Sequence, residues 1–446
     1  MRRPGIIVLC LIGVLPWLGA EAQRADRAQR LDRMDRVQDR IAARDRIADR
    51  AVTDRVRERP VTDIAVREVD AEPVREAEPV DDPAESDADT REPGIIVLDP
   101  YGDRIRRGEV LALNPSSDAL AEMARRNLRV VRERSLSGDA ILYLFRSAGP
   151  ANLTELLSTL SNIDPVGLYT PNHVFEPNGP PAPTASDSVF VAPPTNGGAC
   201  NVGLIDGPVK SLPASAQAVI TQVQRFDPGP VSDSRHGAAV AHRLIDTARQ
   251  VDPSRSLSIC AADVFVAGPE EAITAEAIAA AMHWQMTQDV DLINASLAGP
   301  HNAIVAWTVQ QFLESDGTLV AAVGNGGPLS RNIYPAAYDG VVGVTAVDDA
   351  GALYPLASQG RHVDIAARGV GIDITEIGME VPISGTSFAT PLVSGWLFAR
   401  NATLETLQLN VIDRGEPGRD FAFGYGELAL TQNARLHFAA GTPGQD

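Results

Sequence analysis

The runs NVGLID, SLSICAADVFV, VDLINASL, TLVAAVGN and GVVGVTAVD are apolar at successive positions, not at alternate ones. A strand made from such a run has to be covered on both faces. The segments between them, HGAAVAHRLIDTARQ, AEAIAAAMHWQMTQ and NAIVAWTVQQFLES, repeat apolar residues at helical spacing. Fully buried strands that alternate with helices define an α/β fold with a doubly wound, mostly parallel sheet. Roughly 200 residues of this pattern make one domain with a large core. It is expected to run over residues 200–432, ahead of a short tail at 433–446.

The chain before residue 200 reads differently. Residues 1–22 pair a short basic start with the apolar stretch GIIVLCLIGVLPWLG and the small residues AEA. That is the layout of a signal peptide, so secreted or periplasmic export is expected. No later stretch offers the apolar length of a membrane span, so no stable membrane insertion is expected. Residues 23–92 alternate Arg and Asp and then turn Pro- and Glu-rich, a charged helical or disordered segment with little to bury. Residues 93–178 carry strand, helix, two strands, helix and strand patterns in that order, the plan of a small ferredoxin-like α+β domain. A Pro/Gly/Ser-rich linker fills 179–199. With 39 basic against 58 acidic side chains the net charge is −19, which disfavours a nucleic-acid partner. Cys10 falls in the signal segment. Cys200 and Cys260 are left either as one disulfide or as two buried thiols.

In a doubly wound sheet, chemistry gathers beyond the carboxyl ends of the strands. The polar residues there are Asp206, His236 at the start of a helix, Ser296, Asn325 on a glycine-flanked turn, and Ser387 in ISGTSFATP. Serine becomes a nucleophile at neutral pH only when a base takes its proton and a third group orients that base. Ser387, His236 and Asp206 supply those three roles. The Asn325 amide and the Ser387 backbone N–H could hold the oxyanion that forms. A helix starting at Ser387 would aim its positive end at the same point.

The blocks VGLIDG, RHGAAVAHRL, INASLAGP, AAVGNGG, YPAAYDGVVGVTAVD and SGTSFATPLVSG resemble, in order, the motifs of the subtilisin-like serine proteases. The resemblance covers about residues 200–430. It implies a serine endopeptidase acting on protein or peptide substrates through an acyl-enzyme, with Asp206 orienting, His236 as base, Ser387 as nucleophile and Asn325 as oxyanion donor. It also implies an N-terminal propeptide-like domain that acts as an intramolecular inhibitor and is removed by self-processing. Neither a cofactor nor a metal ion is expected. Ser296, Leu297, Ala298, Gly299 and Gly324 match the family's substrate-binding segments, and Ile333 matches a position on the floor of its P1 pocket. Ala298 and Ile333 are bulkier than a glycine there, so a shallow pocket for small or medium apolar side chains is expected. Further departures are GPV after Asp206, Ala238 after His-Gly, and Arg368 in AARG; none removes a catalytic atom. Two other readings compete. One is a catalytically silent, subtilase-shaped binding protein. The other is an esterase with a G-x-S-x-G elbow, which neither GTSFA nor the order Asp, His, Ser fits.

Overall fold

The computed structural model describes residues 95–136, 138–147, 152–177, 198–267, 272–428 and 430. The expected signal segment, charged segment, C-terminal tail and most of the linker lie outside those residues. The larger sheet is built from β6 (Val202–Asp206), β7 (Ile220–Arg225), β8 (Ile259–Asp263), β11 (Leu292–Ala295), β13 (Thr318–Ala322), β14 (Val342–Val347), β15 (Ile365–Arg368), β18 (Val411–Ile412) and β19 (Glu427–Leu428). Its order is β18-β19-β15-β14-β13-β11-β6-β8-β7, parallel except for the β18–β19 pair. From β6 the chain goes to the edge strand β7, returns to β8 beside β6, and then runs in the other direction through β11, β13, β14 and β15. Winding therefore reverses beside β6, at whose carboxyl end Asp206 stands, which is where such sheets open a crevice.

Successive strand residues feed opposite faces. Val202, Leu204, Leu292 and Val320 pack with helices α4 (His236–Val251) and α7 (Thr386–Arg400). Ile205, Ile293, Leu319 and Ala321 pack with α5 (Ala275–Thr287) and α6 (Ala303–Glu314) on the other side. That double burial accounts for the unbroken apolar runs. A single turn, α3 (Ala214–Gln217), and the short α8 (Leu404–Gln408) complete the α-helices of this part among the described residues, beside a 3-10 turn at Thr375–Ile377.

Residues 95–177 form β1 (Ile96–Leu98), β2 (Arg104–Leu113), α1 (Ser117–Arg125), β3 (Leu128–Ser135), β4 (Ile141–Ser147), α2 (Leu153–Ile163) and β5 (Leu168–Pro177). The antiparallel order is β3-β4-β2-β5, with β1 beside β2. Ser116 and Asn152 cap the two helices through their side chains. One face of the sheet, through Val110, Ala112 and Phe145, packs on α1 and α2. The other, through Leu111, Leu113, Leu142 and Leu144, joins the core of α5 and α6. The sheet then continues into the larger part, because β5 pairs with β10 (Ala272–Thr274), which pairs with β9 (Phe265–Val266). It also pairs with β12 (Leu297–Ala298). A two-stranded hairpin, β16 (Ile372–Ile374) and β17 (Met379–Ile383), precedes α7.

Cys200, just ahead of β6, and Cys260 on the neighbouring β8 are joined by a disulfide, with Cα atoms 5.6 Å apart. The bridge closes a loop with a sequence separation of 60, so in the chain-entropy picture it contributes about 4 kcal/mol. Cys260→Ser is expected to lower the unfolding free energy by that amount, read as a lower urea midpoint with a somewhat steeper slope as the unfolded chain expands. An unchanged midpoint would show the bridge to be energetically silent.

Candidate active site

The site is assembled from β6, the start of α4, the turn after β13 and the start of α7. His236 is the first residue of α4, and Gly237 follows because a side chain there would strike the backbone of Gly207. That close approach sets the imidazole against β6. His236 Nδ1 lies 2.7 Å from Asp206 Oδ1, both residues are buried, and the same oxygen accepts the Gly207 amide at 2.7 Å. With Nδ1 donating to the carboxylate, the neutral ring leaves Nε2 as its basic nitrogen. That atom is buried and makes no hydrogen bond among the described residues. The Phe388 ring lies 5.2 Å from the imidazole, centroid to centroid, and Phe265 lies 5.8 Å away.

Ser387 is the second residue of α7, where backbone N–H groups have no helical acceptor. Pro391, four residues on, has no N–H to give the Ser387 carbonyl, so that oxygen is left without its helical bond. Ser296 supplies the replacement: its hydroxyl donates to the Ser387 carbonyl at 2.9 Å. Asn294 Nδ2 donates to Ser296 Oγ at 3.0 Å, and Ser394 Oγ donates to Asn294 Oδ1 at 2.8 Å. All four residues are fully buried. The chain of bonds thus fixes the helix turn that bears Ser387. Ser296, expected among the substrate-binding residues, turns its hydroxyl to the backbone of the serine.

Asn325 follows the glycine turn after β13. Its Oδ1 accepts both the amide and the hydroxyl of Thr386, each at 3.0 Å. The carboxamide is thereby oriented, and Nδ2 is left buried without an acceptor among the described residues. A buried donor without a partner is costly unless something is meant to occupy it. Beside Asp206, burial raises Asp263 to about 6, with the Asp206 charge also pushing it upward against hydrogen bonding and nearby cations.

Along the expected substrate edge, Leu297 pairs with Pro177 and Ala298 with Glu176. The missing side chain of Gly299 makes room for the Phe175 ring. Gly324 has a φ of +104°, and a Cβ there would lie 3.5 Å from the Ala298 Cβ, 2.7 Å from the Asn332 carbonyl oxygen and 3.1 Å from Ser358 Oγ. Ile333 is half-buried next to Asn332. Asn294, Ser394 and Thr386 join the site as well; they lie inside the blocks INASLAGP and SGTSFATPLVSG, but their bonds to one another are not readable there.

One group among the described residues has cation-ligand chemistry: Asp99, Asp103 and His173. Asn302 uses its Oδ1 to cap α6 and donates through Nδ2 to His173 Nδ1 at 3.0 Å. The ring proton therefore sits on Nε2, 4.0 Å from Asp99 Oδ2, and a metal at Nε2 would have to displace it. Burial holds His173 down at about 4 from an ordinary 6.5; Asp99 opposes this and His301 adds to it. Since the folded value lies below the free one, the stability tied to the neutral ring is complete above pH 6.5. It is lost as pH falls towards 4. Acidification from pH 7 to 4 is expected to cost the uncleaved chain about 3 kcal/mol at this ring. The fall in thermal midpoint should shrink in His173→Gln, and an equal fall in both proteins would refute the assignment.

A carboxylate–imidazole pair, a serine near a helix N-terminus and a carboxamide with one open donor stand at the crevice of a mixed α/β sheet. Residues 213–426 match the sequence model of the Subtilase family, and this part of the chain is a subtilisin-like S8 peptidase domain. The chain is 32% identical over 163 residues to the minor extracellular protease Epr of Bacillus subtilis, covering 34% of this chain and 25% of that protein. It is 36% identical over 119 residues to a subtilisin of Bacillus pumilus, covering 26% and 43%. These matches span less than half the length of those curated relatives. Among solved structures, fervidolysin from Fervidobacterium pennivorans, a keratinolytic enzyme related to subtilisin, superposes with a TM-score of 0.57 at 18% identity. That match covers 76% of this chain and 62% of fervidolysin, and it concerns the fold alone. Among the described residues, no helix is long and apolar enough to cross a membrane.

Proposed function

We propose that the protein is an exported serine endopeptidase made as a self-processing precursor. The observation that carries this reading is the buried Asp206–His236 pair, whose ring has an open Nε2 and packs on Phe388, the residue after Ser387. In the proposed reaction Ser387 Oγ attacks the peptide carbonyl and gives its proton to His236 Nε2. Asp206 holds the ring and stabilises the imidazolium. The oxyanion is held by Asn325 Nδ2 and the Ser387 N–H. His236 then protonates the leaving amine, and water resolves the acyl-enzyme by the same steps in reverse.

Residues 93–178 are read as a ferredoxin-like propeptide that also inhibits the enzyme. Two features support this: the strand order β3-β4-β2-β5, and the seating of the end of β5 against β10 and β12, on the expected substrate edge. Self-cleavage is proposed within residues 175–200. The disulfide supports an oxidising destination, and the signal-like residues 1–22 support export. A fluorophosphonate probe tests the core of the proposal. Stoichiometric labelling of Ser387 in the processed protein is expected. A folded, processed protein that takes no label and cuts no peptide would favour the silent binding protein instead.

A further inference from the structure

Arg243 stands on α4, about two turns beyond His236, and has no place in the chemistry above. It is half-buried. Its Nε–H donates to the Phe388 carbonyl at 2.8 Å, and an Nη2–H donates to the Arg368 carbonyl at 2.9 Å. These two carbonyls belong to the segments on either side of the nucleophile. Phe388 follows Ser387 in the first turn of α7. Arg368 ends β15, and the carbonyl of the next residue, Gly369, accepts the amide of Gly385 at 2.9 Å, two residues ahead of Ser387. One side chain from the helix of the base therefore reaches both backbone segments that locate the serine.

We propose that Arg243 is a positioning residue that fixes Ser387 relative to His236 by clamping the Phe388 and Arg368 carbonyls to α4. The proposal rests on the peptidase reading. Both of these guanidinium bonds go to main-chain carbonyls, so the side chain works through the backbone. A guanidinium suits this task because its planar fork presents several donors at fixed angles and can serve two carbonyls at once. A lysine ammonium is a point donor with no such fork. The clamp also carries a cost. Burial and the nearby Arg368 charge push Arg243 down to about 10, against the pull of Asp246, so it remains a cation at neutral pH. A cation held against two carbonyls is a poor choice for stability alone, since an apolar side chain of similar volume avoids the desolvation. What it adds is registry between two helices, and small misplacements of a nucleophile are expensive in rate.

The test compares the parent with Arg243→Met and Arg243→Lys, using kcat and KM on a peptide substrate and the rate of fluorophosphonate labelling. Arg243→Met is expected to lose about tenfold or more in kcat with KM within about twofold, and labelling should slow in parallel. Arg243→Lys should recover part of the loss by keeping one charged donor, and it carries the test if the methionine variant does not fold. A kcat within twofold of the parent in both variants, or a loss confined to KM, would overturn the proposal. A parent that neither labels nor hydrolyses would overturn the peptidase reading itself. An active parent with unaffected variants would overturn only the clamp.

Discussion

Replacing Ser387 with alanine is expected to abolish peptide hydrolysis and leave the chain uncut between residues 175 and 200. The hydroxyl is the only group removed, and the contacts that shape the turn use the backbone and its neighbours. The Ser387 carbonyl keeps its bond from Ser296, and Asn325 keeps both bonds from Thr386. The thermal midpoint should therefore move by no more than about 4 °C, the equivalent of roughly 1 kcal/mol in a domain of this size. His236→Ala should match the loss, because members of a catalytic unit are strongly non-additive. In subtilisin such losses reach about 10⁶ in kcat. Activity within tenfold of the parent in Ser387→Ala would end the serine-peptidase reading. N-terminal sequencing tests maturation separately: a fully active parent that still begins at Gln23 would refute self-processing while leaving the triad intact.

The residues in this prediction are legible because an α/β sheet puts its chemistry at strand ends, and a strand end shows in sequence as an apolar run stopped by a polar residue. Asp206 and Asn325 read that way, and Ser387 reads as a polar residue at the head of an apolar helical run. The support behind them is harder to see. Asn294 is the single polar residue of a short apolar strand and Ser394 one of several small hydroxyls in α7, a pattern that burial tolerates without announcing a partner. Their bond joins residues 100 positions apart, and local spacing carries no information on that scale. Arg243 reads as the solvent-facing arginine of an amphipathic helix until the Phe388 and Arg368 carbonyls are found beside it. The strand and helix order of residues 95–177 can be read from alternation and caps. That the face bearing Leu111 and Leu142 packs on α5 and α6 cannot, because both faces of β2 are apolar. The two- and three-residue strands β9, β10 and β12 are too short for any periodicity, and two of them, β10 and β12, are the ones that meet β5.

Asn325 gives the second large effect. Its carboxamide has one settled half and one waiting half. Oδ1 is held by the Thr386 amide and hydroxyl, and Nδ2 is buried without an acceptor among the described residues. A purely structural asparagine would satisfy its donor, since leaving one unpaired costs about 1–3 kcal/mol. An oxyanion donor has to keep that side open until charge develops on the substrate oxygen. Asn325→Leu keeps the branched shape at Cγ and removes the donor, together with the acceptor of Thr386. It should lower kcat by about 10²–10³ with little change in KM, because the bond strengthens only in the transition state. Losing such a donor in subtilisin has an effect of that size. Asn325→Asp separates donor from shape: it preserves the acceptor for Thr386 but sets a carboxylate against the forming oxyanion, so it should be at least as inactive as the leucine variant. Fluorophosphonate labelling of Ser387 should slow in both, since the phosphonyl oxygen would use the same donor. If Asn325→Leu instead raised KM with kcat intact, the amide would be a substrate-binding group and the oxyanion would have to rest on the Ser387 N–H at the start of α7.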